Sequence, residues 1–290
     1  MTDKRKFKPG HYLSLLLLTL IALLLLLPVT FTILYSFFPQ SEIASYMGAR
    51  GRFSEDLWMP LLWSPAAASL KQYYAILIED LTVLNYFVNS AMYMSGILIG
   101  QVFIVPATAF ALAKFKFRGR EVLFFSIIIL MVLPFQVTMM PNVITLNLLN
   151  LMNTPWAVIL PMWFTPFYIF LIRQFMIGVP DELLEAGAID GAGPLRCFLH
   201  IMLPACRPVL GAALALSFAD SWNLVEQPLV YLSSRQDLMP LSVMFNQISA
   251  DAKGAEVAFA GATLYILPAI FVYLMFQDDI LKGIQLSELK

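Results

Sequence analysis

The chain has 290 residues, 60% of them hydrophobic and 13% charged, with a formal net charge of −1 and a mean hydropathy of +0.77. Soluble domains are nearer half apolar and about a quarter charged, and here the apolar excess runs along the whole chain, which excludes a single soluble core and points to an all-α polytopic membrane protein. The charge balance speaks neither for nor against an acidic or nucleic-acid partner, and two cysteines, Cys197 and Cys206, make neither a disulfide framework nor, with His200, a good metal site.

A helix crossing a bilayer needs about 20 mostly apolar residues. Six windows qualify, at about 12–38, 86–113, 122–143, 156–171, 210–232 and 258–276, within one permease-sized domain over 1–290. The first follows Lys4, Arg5, Lys6 and Lys8, but its apolar run is far longer than that of a secretory leader, and no small-x-small site follows closely. It reads as an uncleaved span. The long loop after it mixes Trp, Tyr, Pro and charge, as expected of structure at a membrane surface. With the N-terminus inside, 13 of the 18 Lys and Arg residues fall on the inner side, so both termini are expected in the cytoplasm.

Span two opens with Asn89 and Ser90, and span three carries Pro134, Gln136, Thr138 and Pro141. Prolines and polar side chains inside spans fit helices that line a moving cavity, and equally fit static kinks.

Between spans four and five lies a polar stretch, 180–204. Pro180 suits a first helical position, with Asp181 and Glu182 against the positive dipole end. "PDELLEAGAID" then makes about three turns and stops at Gly191. A second short helix starts at Pro194 and runs to Pro204. Ala186, Gly187, Ala188, Gly191, Ala192 and Gly193 leave one surface nearly bare, open to close approach by a partner, and Glu185 and Asp190 offer charges at its edges. Composition alone also allows a solvated linker. Span five holds Asp220, Trp222, Asn223, Glu226 and Gln227. Positions 220, 223 and 227 are spaced for one helical face, with Pro228 kinking the helix just beyond. Such a face suits the path of a polar solute; a wet outer boundary is the alternative. His11 and His200 read as interface or partner-face residues.

The order E-A-x-x-x-D-G-A, a gap, then I-x-L-P, carried by Glu185, Ala186, Asp190, Gly191, Ala192, Ile201, Leu203 and Pro204, resembles the EAA motif of binding-protein-dependent ABC importer permeases. "AKFKFRGRE" (113–121), "LPFQVTMMPNVITLNLLNLMNTPWAVILP" (133–161) and "SWNLVEQPLVYL" (221–232) are similar to the carbohydrate-importer branch, in particular the smaller permease of maltose-type systems. The resemblance covers about 70–282. Two departures stand out. Gly187 replaces a common alanine, which should loosen the helix slightly, and Leu224 follows the Trp-Asn pair where relatives often place an acid. The resemblance implies that the EAA loop lodges in a cleft of a cytoplasmic ATPase subunit. It also implies a second, different permease, two ATPase subunits holding ATP and magnesium, an extracytoplasmic solute-binding protein and surrounding lipid, with no nucleic acid and no cofactor on this chain. The expected location is the inner membrane of a bacterium or archaeon.

Neither a phosphate-binding loop nor an H-E-x-x-H or G-x-S-x-G motif occurs, so no catalytic residue is assigned and no enzyme is expected. A polyamine- or amino-acid-type ABC permease and a secondary transporter remain the alternatives.

Overall fold

A computed structural model describes residues 9–47, 63–79, 81–248 and 255–288, and among them no strand occurs. Four helical stretches are long and apolar enough to cross a membrane: Tyr12–Tyr35, Leu81–Lys114, Pro155–Ile177 and Val257–Asp278. The number reaches six if each of two bent pairs is one span. Residues 48–62, part of the long loop after the first expected span, and residues 249–254 lie outside the described residues. By contacts the chain divides into two units, Met1–Leu81 with Gln247–Ile266, and Thr82–Asn246 with Leu267–Lys290.

In the first unit, α1 (Pro9–Tyr35) is apolar on every face, and its leucines from Leu13 to Leu27 are all exposed. A helix of that kind needs lipid or a protein partner around it. Order begins where α1 ends. The Gln72 amide, on the short α3 (Lys71–Tyr74), donates to the carbonyls of Ser36 and Phe38, and Ser36 Oγ lies 2.6 Å from the Tyr73 hydroxyl. Helix α2 (Gln40–Met47) is tied back through Glu42, which accepts from the Ala66 amide at 2.9 Å. The Tyr35 ring packs edge-on against Phe259 of α15 (Ala255–Glu288).

The second unit is organised around α4 (Leu81–Lys114), one continuous helix of 34 residues in spite of Pro106. Two buried clusters lie along it. One joins Val105, Ala109 and Leu112 to Ile127, Ile169, Ile172, Met202 and Val209. The other joins Tyr93 and Ile97 to Val158, Ile159, Leu232 and Val243.

The helices around α4 are broken, and proline places each break. Leu133 is extended ahead of Pro134, as pre-proline sterics require, so the expected third span is two helices, α5 (Arg120–Val132) and α6 (Phe135–Leu148), bent by 111°. The fourth is α7 (Pro155–Trp163) and α8 (Pro166–Ile177), and it runs six residues beyond the expected end. The fifth begins as α12 (Arg207–Trp222) and restarts as α13 (Glu226–Tyr231). A helix continued through Pro228 would drive its ring into the Leu224 carbonyl, four residues back. Beyond α13 the chain forms a further short helix, α14 (Leu241–Ile248).

Where Trp163 packs on α4, glycine makes the room. A Cβ on Gly100 would stand 2.0 Å from the Trp163 ring nitrogen, and that indole donates to the Gly96 carbonyl at 2.9 Å. Gly100→Val should therefore destabilise the detergent-solubilised protein by about 1–3 kcal/mol through overpacking. Gly193→Ala, where a Cβ would meet open space, should stay within about 0.5 kcal/mol. Thermal unfolding of both variants checks this, and an unchanged midpoint for Gly100→Val would contradict the packing.

Candidate coupling hairpin and polar face

Helix α8 ends at Ile177, and after Gly178, Val179 and Pro180 the chain enters α9 (Glu182–Ile189). Its end is closed by a Schellman motif: the Ala192 amide donates to the Gly187 carbonyl at 2.9 Å and the Gly191 amide to the Ala188 carbonyl at 3.0 Å. This geometry needs a left-handed residue, and Gly191 has φ +81°. The return limb starts at Pro194 with α10 (Pro194–Cys197), passes through a wide turn, Phe198–Met202, and ends in α11 (Leu203–Ala205). The expected punctuation is thus present, Gly191 just past the first helix and Pro194 opening the second.

The motif residues divide into two groups. Glu185, Ala186, Asp190, Gly191 and Pro204 are exposed, while Gly187, Ala192, Ile201 and Leu203 are half-buried. Gly187 is no loose point in the helix. A Cβ there would stand 2.6 Å from Ile201 Cδ1 and 3.4 Å from the Cys197 sulfur, so the missing methyl is the space into which the return limb packs. Leu184 and Phe198 anchor the hairpin to the first buried cluster. At the tip the surface is apolar: Ile189 is 87% exposed and Leu195 70%.

Sequence reasoning missed Lys114, the last residue of α4. Its ammonium donates to the Val179 carbonyl at 2.6 Å and to Asp181 Oδ1 at 2.5 Å, and its side chain is only 8% exposed. The Lys114 hydrogen bond and charge hold the Asp181 carboxyl below its ordinary value. A terminal lysine in the run "AKFKF" was the available signal, but its partner lies 67 residues away.

The polar face expected on span five is rearranged. Because α12 stops at Trp222, positions 220, 223 and 227 do not share one helical face. Trp222 is buried, stacked on Phe218 at 5.9 Å with its ring edge-to-face with Phe87, and so belongs to the core. Gln227 is half-buried. Asp220, Asn223 and Glu226 stay exposed. Asp220 accepts from the Tyr168 hydroxyl at 2.5 Å, and the Gln136 amide sits 3.2 and 3.3 Å from the two Glu226 oxygens. The polar residue noticed in span three is therefore brought to the acid noticed in span five. Asn89 and Ser90 instead bind backbone of the loop before α14.

The depressed Asp181 carboxyl sets a pH test. A group ionised more readily when folded stabilises the fold above its ordinary value, about 3.9 for Asp, and loses that contribution as the pH falls through its folded value. The stability difference between the native chain and Asp181→Asn should hold steady near neutrality and shrink below about pH 4. A difference independent of pH in thermal unfolding would exclude the ion pair as its source.

The chain resembles known proteins over almost its whole length. It is 30% identical over 291 residues to the arabinooligosaccharides transport system permease protein AraQ of Halalkalibacterium halodurans, covering 99% of each chain. It is 27% identical to the protein of the same name from Bacillus subtilis, over 93% of this chain and 92% of that one. With the sn-glycerol-3-phosphate transport system permease protein UgpE of Pectobacterium atrosepticum it shares 30% identity over 69% of this chain and 72% of the relative. Its fold matches a chain in the crystal structure of a bacterial ABC transporter involved in the import of the acidic polysaccharide alginate, with a TM-score of 0.76 at 22% identity, covering 96% of this chain and 99% of that one. Residues 104–284 match the model of the binding-protein-dependent transport system inner membrane components, a stretch that takes in the hairpin, α12, α13 and the Lys114 end of α4, and the chain belongs to that family.

Proposed function

We propose that this chain is the membrane-spanning subunit of an ATP-driven importer for a sugar or oligosaccharide, and that the hairpin over 180–204 is where a separate ATPase subunit engages it. The observation that carries the reading is the hairpin's tip. Ile189 and Leu195 stand exposed beside the bare surface of Ala186, Gly191 and Gly193 and the exposed carboxylates of Glu185 and Asp190. Large aliphatics held in the open on a rigid, capped turn are the form of a docking surface. The names of the relatives that align over nearly the whole chain favour a sugar oligomer as solute.

In this reading the partners are a second, different permease, two ATPase subunits that bind ATP and magnesium, and an extracytoplasmic binding protein that delivers the solute. The 13-to-5 distribution of Lys and Arg supports cytoplasmic termini and a cytoplasmic hairpin. Closure of the ATPase pair moves the hairpins, and the cavity between the permeases opens outward. Asp220, Asn223 and the Gln136–Glu226 pair are exposed polar groups on spans, where a lipid-facing position is costly. They supply hydrogen-bonding groups toward that cavity.

Ile189→Asp should leave membrane insertion intact and lower uptake by at least about tenfold, equivalent to roughly 1.4 kcal/mol of docking free energy. The measurement is a pull-down of the tagged chain from its native membranes, paired with vesicle uptake. Recovery of an ATPase and a second permease with the native chain, reduced for the variant, supports the reading. A chain that purifies alone and moves solute without ATP would instead be a secondary transporter.

A further inference from the structure

We propose that α4 is a strut that joins the hairpin to the external loop before α14, with Lys114 and Asn89 as positioning residues at its two attachments. The proposal rests on the importer reading and adds to it the element that links the two ends of the subunit.

At the hairpin end α4 holds both limbs. Lys114 binds the Val179 carbonyl and Asp181, the residues on either side of Pro180, just ahead of α9. Phe110, one turn back, packs its ring on Phe198 of the return limb at 5.1 Å. The hairpin is therefore held by α4 as well as by its covalent links to α8 and α12, and the grip on both limbs keeps it from pivoting freely about Gly178 and Pro180.

At the other end α4 holds a loop by its backbone. The Asn89 amide donates to the carbonyls of Asp237 and Met239 at 2.8 and 3.0 Å. The Tyr93 hydroxyl donates to the Leu238 carbonyl at 2.7 Å, and Ser90 Oγ accepts from the Leu241 amide at 2.8 Å. Four successive contacts to a short turn, Gln236–Leu238, and its flanks make that loop an extension of α4. Between the attachments the helix runs unbroken for 25 residues, about 37 Å at 1.5 Å per residue. The other spans that lie wholly in this unit are bent or interrupted. A displacement of the hairpin thus has one straight route to the far side.

Spatial continuity alone does not establish coupling, so the test is a double-mutant cycle. The complete complex, in proteoliposomes, is assayed for stimulation of ATP hydrolysis by its binding protein, loaded from a mixture of neutral pentose and hexose oligosaccharides. Lys114→Met and Asn89→Ala should each reduce that stimulation by about tenfold, while complex yield and unstimulated hydrolysis stay within about twofold, and the double variant should be no worse than the worse single one. Lys114→Arg, which keeps the charge and the donors, should retain the stimulation. If Lys114→Met does not assemble, Asp181→Asn, altered at an exposed side chain, takes its place. Full stimulation in either single variant, or losses that multiply in the double, would overturn the strut. If the native complex itself is not stimulated, the importer reading fails and the strut with it.

Discussion

The second unit depends on α4 because the helices around it cannot satisfy their own backbones. A broken helix in an apolar surround leaves carbonyls without partners, and each such group is costly where water is absent. At the break between α7 and α8 the remedy comes from α4. The Gln101 amide donates to the Met162 carbonyl at 2.7 Å and to Thr165 Oγ1 at 2.9 Å, and its carbonyl accepts the Ser217 hydroxyl from α12. One side chain thereby joins three helices. Gly100, its neighbour, lets the Trp163 ring lie against the helix. Hydrogen bonds of this kind average about 0.6 kcal/mol in membrane proteins, so their consequence is less strength than register: the breaks sit at fixed heights along one rod.

The Lys114 end of α4 shows the same pattern. Arg173 of α8 is buried, its guanidinium 3.5 Å from the centre of the Phe124 ring, and its Nε donates to the Leu112 carbonyl. Arg173 and Lys114 therefore tie α4, α5, α8 and the hairpin entry together within two turns of helix. Each cation answers a helix-end carbonyl and a second group, a pattern in which removing the charge costs more than the pair contributes. The motif residues of the hairpin divide in step with this. Those that face inward hold the limbs together and to the bundle, and those that face outward are left free for another surface.

Much of this was legible in the sequence, for identifiable reasons. Hydropathy marked the long apolar stretches because a bilayer sets a minimum length for them, and Gly191 and Pro194 announced the hairpin's turn because each residue imposes a backbone conformation that few others adopt. The bends were only half legible. Pro134 and Pro228 marked where helices break, but the size of a bend is set by what the far half packs against, as Tyr231 of α13 does with Leu146 of α6. Helical spacing put Asp220, Asn223 and Gln227 on one face because it assumed a continuous helix, whereas α12 stops at Trp222. The Lys114–Asp181 and Asn89–Asp237 contacts, 67 and 148 residues apart, have no local signature, and only the folded chain brings them together.

If α4 is a strut, the hairpin, α4 and the loop before α14 move as one body. The most direct measurement places spin labels at Arg196 on the hairpin and Gln236 on the loop, both exposed, and records their distance distribution by pulsed EPR in the complete complex with and without trapped ATP. A rigid strut gives the same distribution in both states, while a label pair running from either site to the partner permease shifts. A change in the distance from Arg196 to Gln236 between the two states would contradict it.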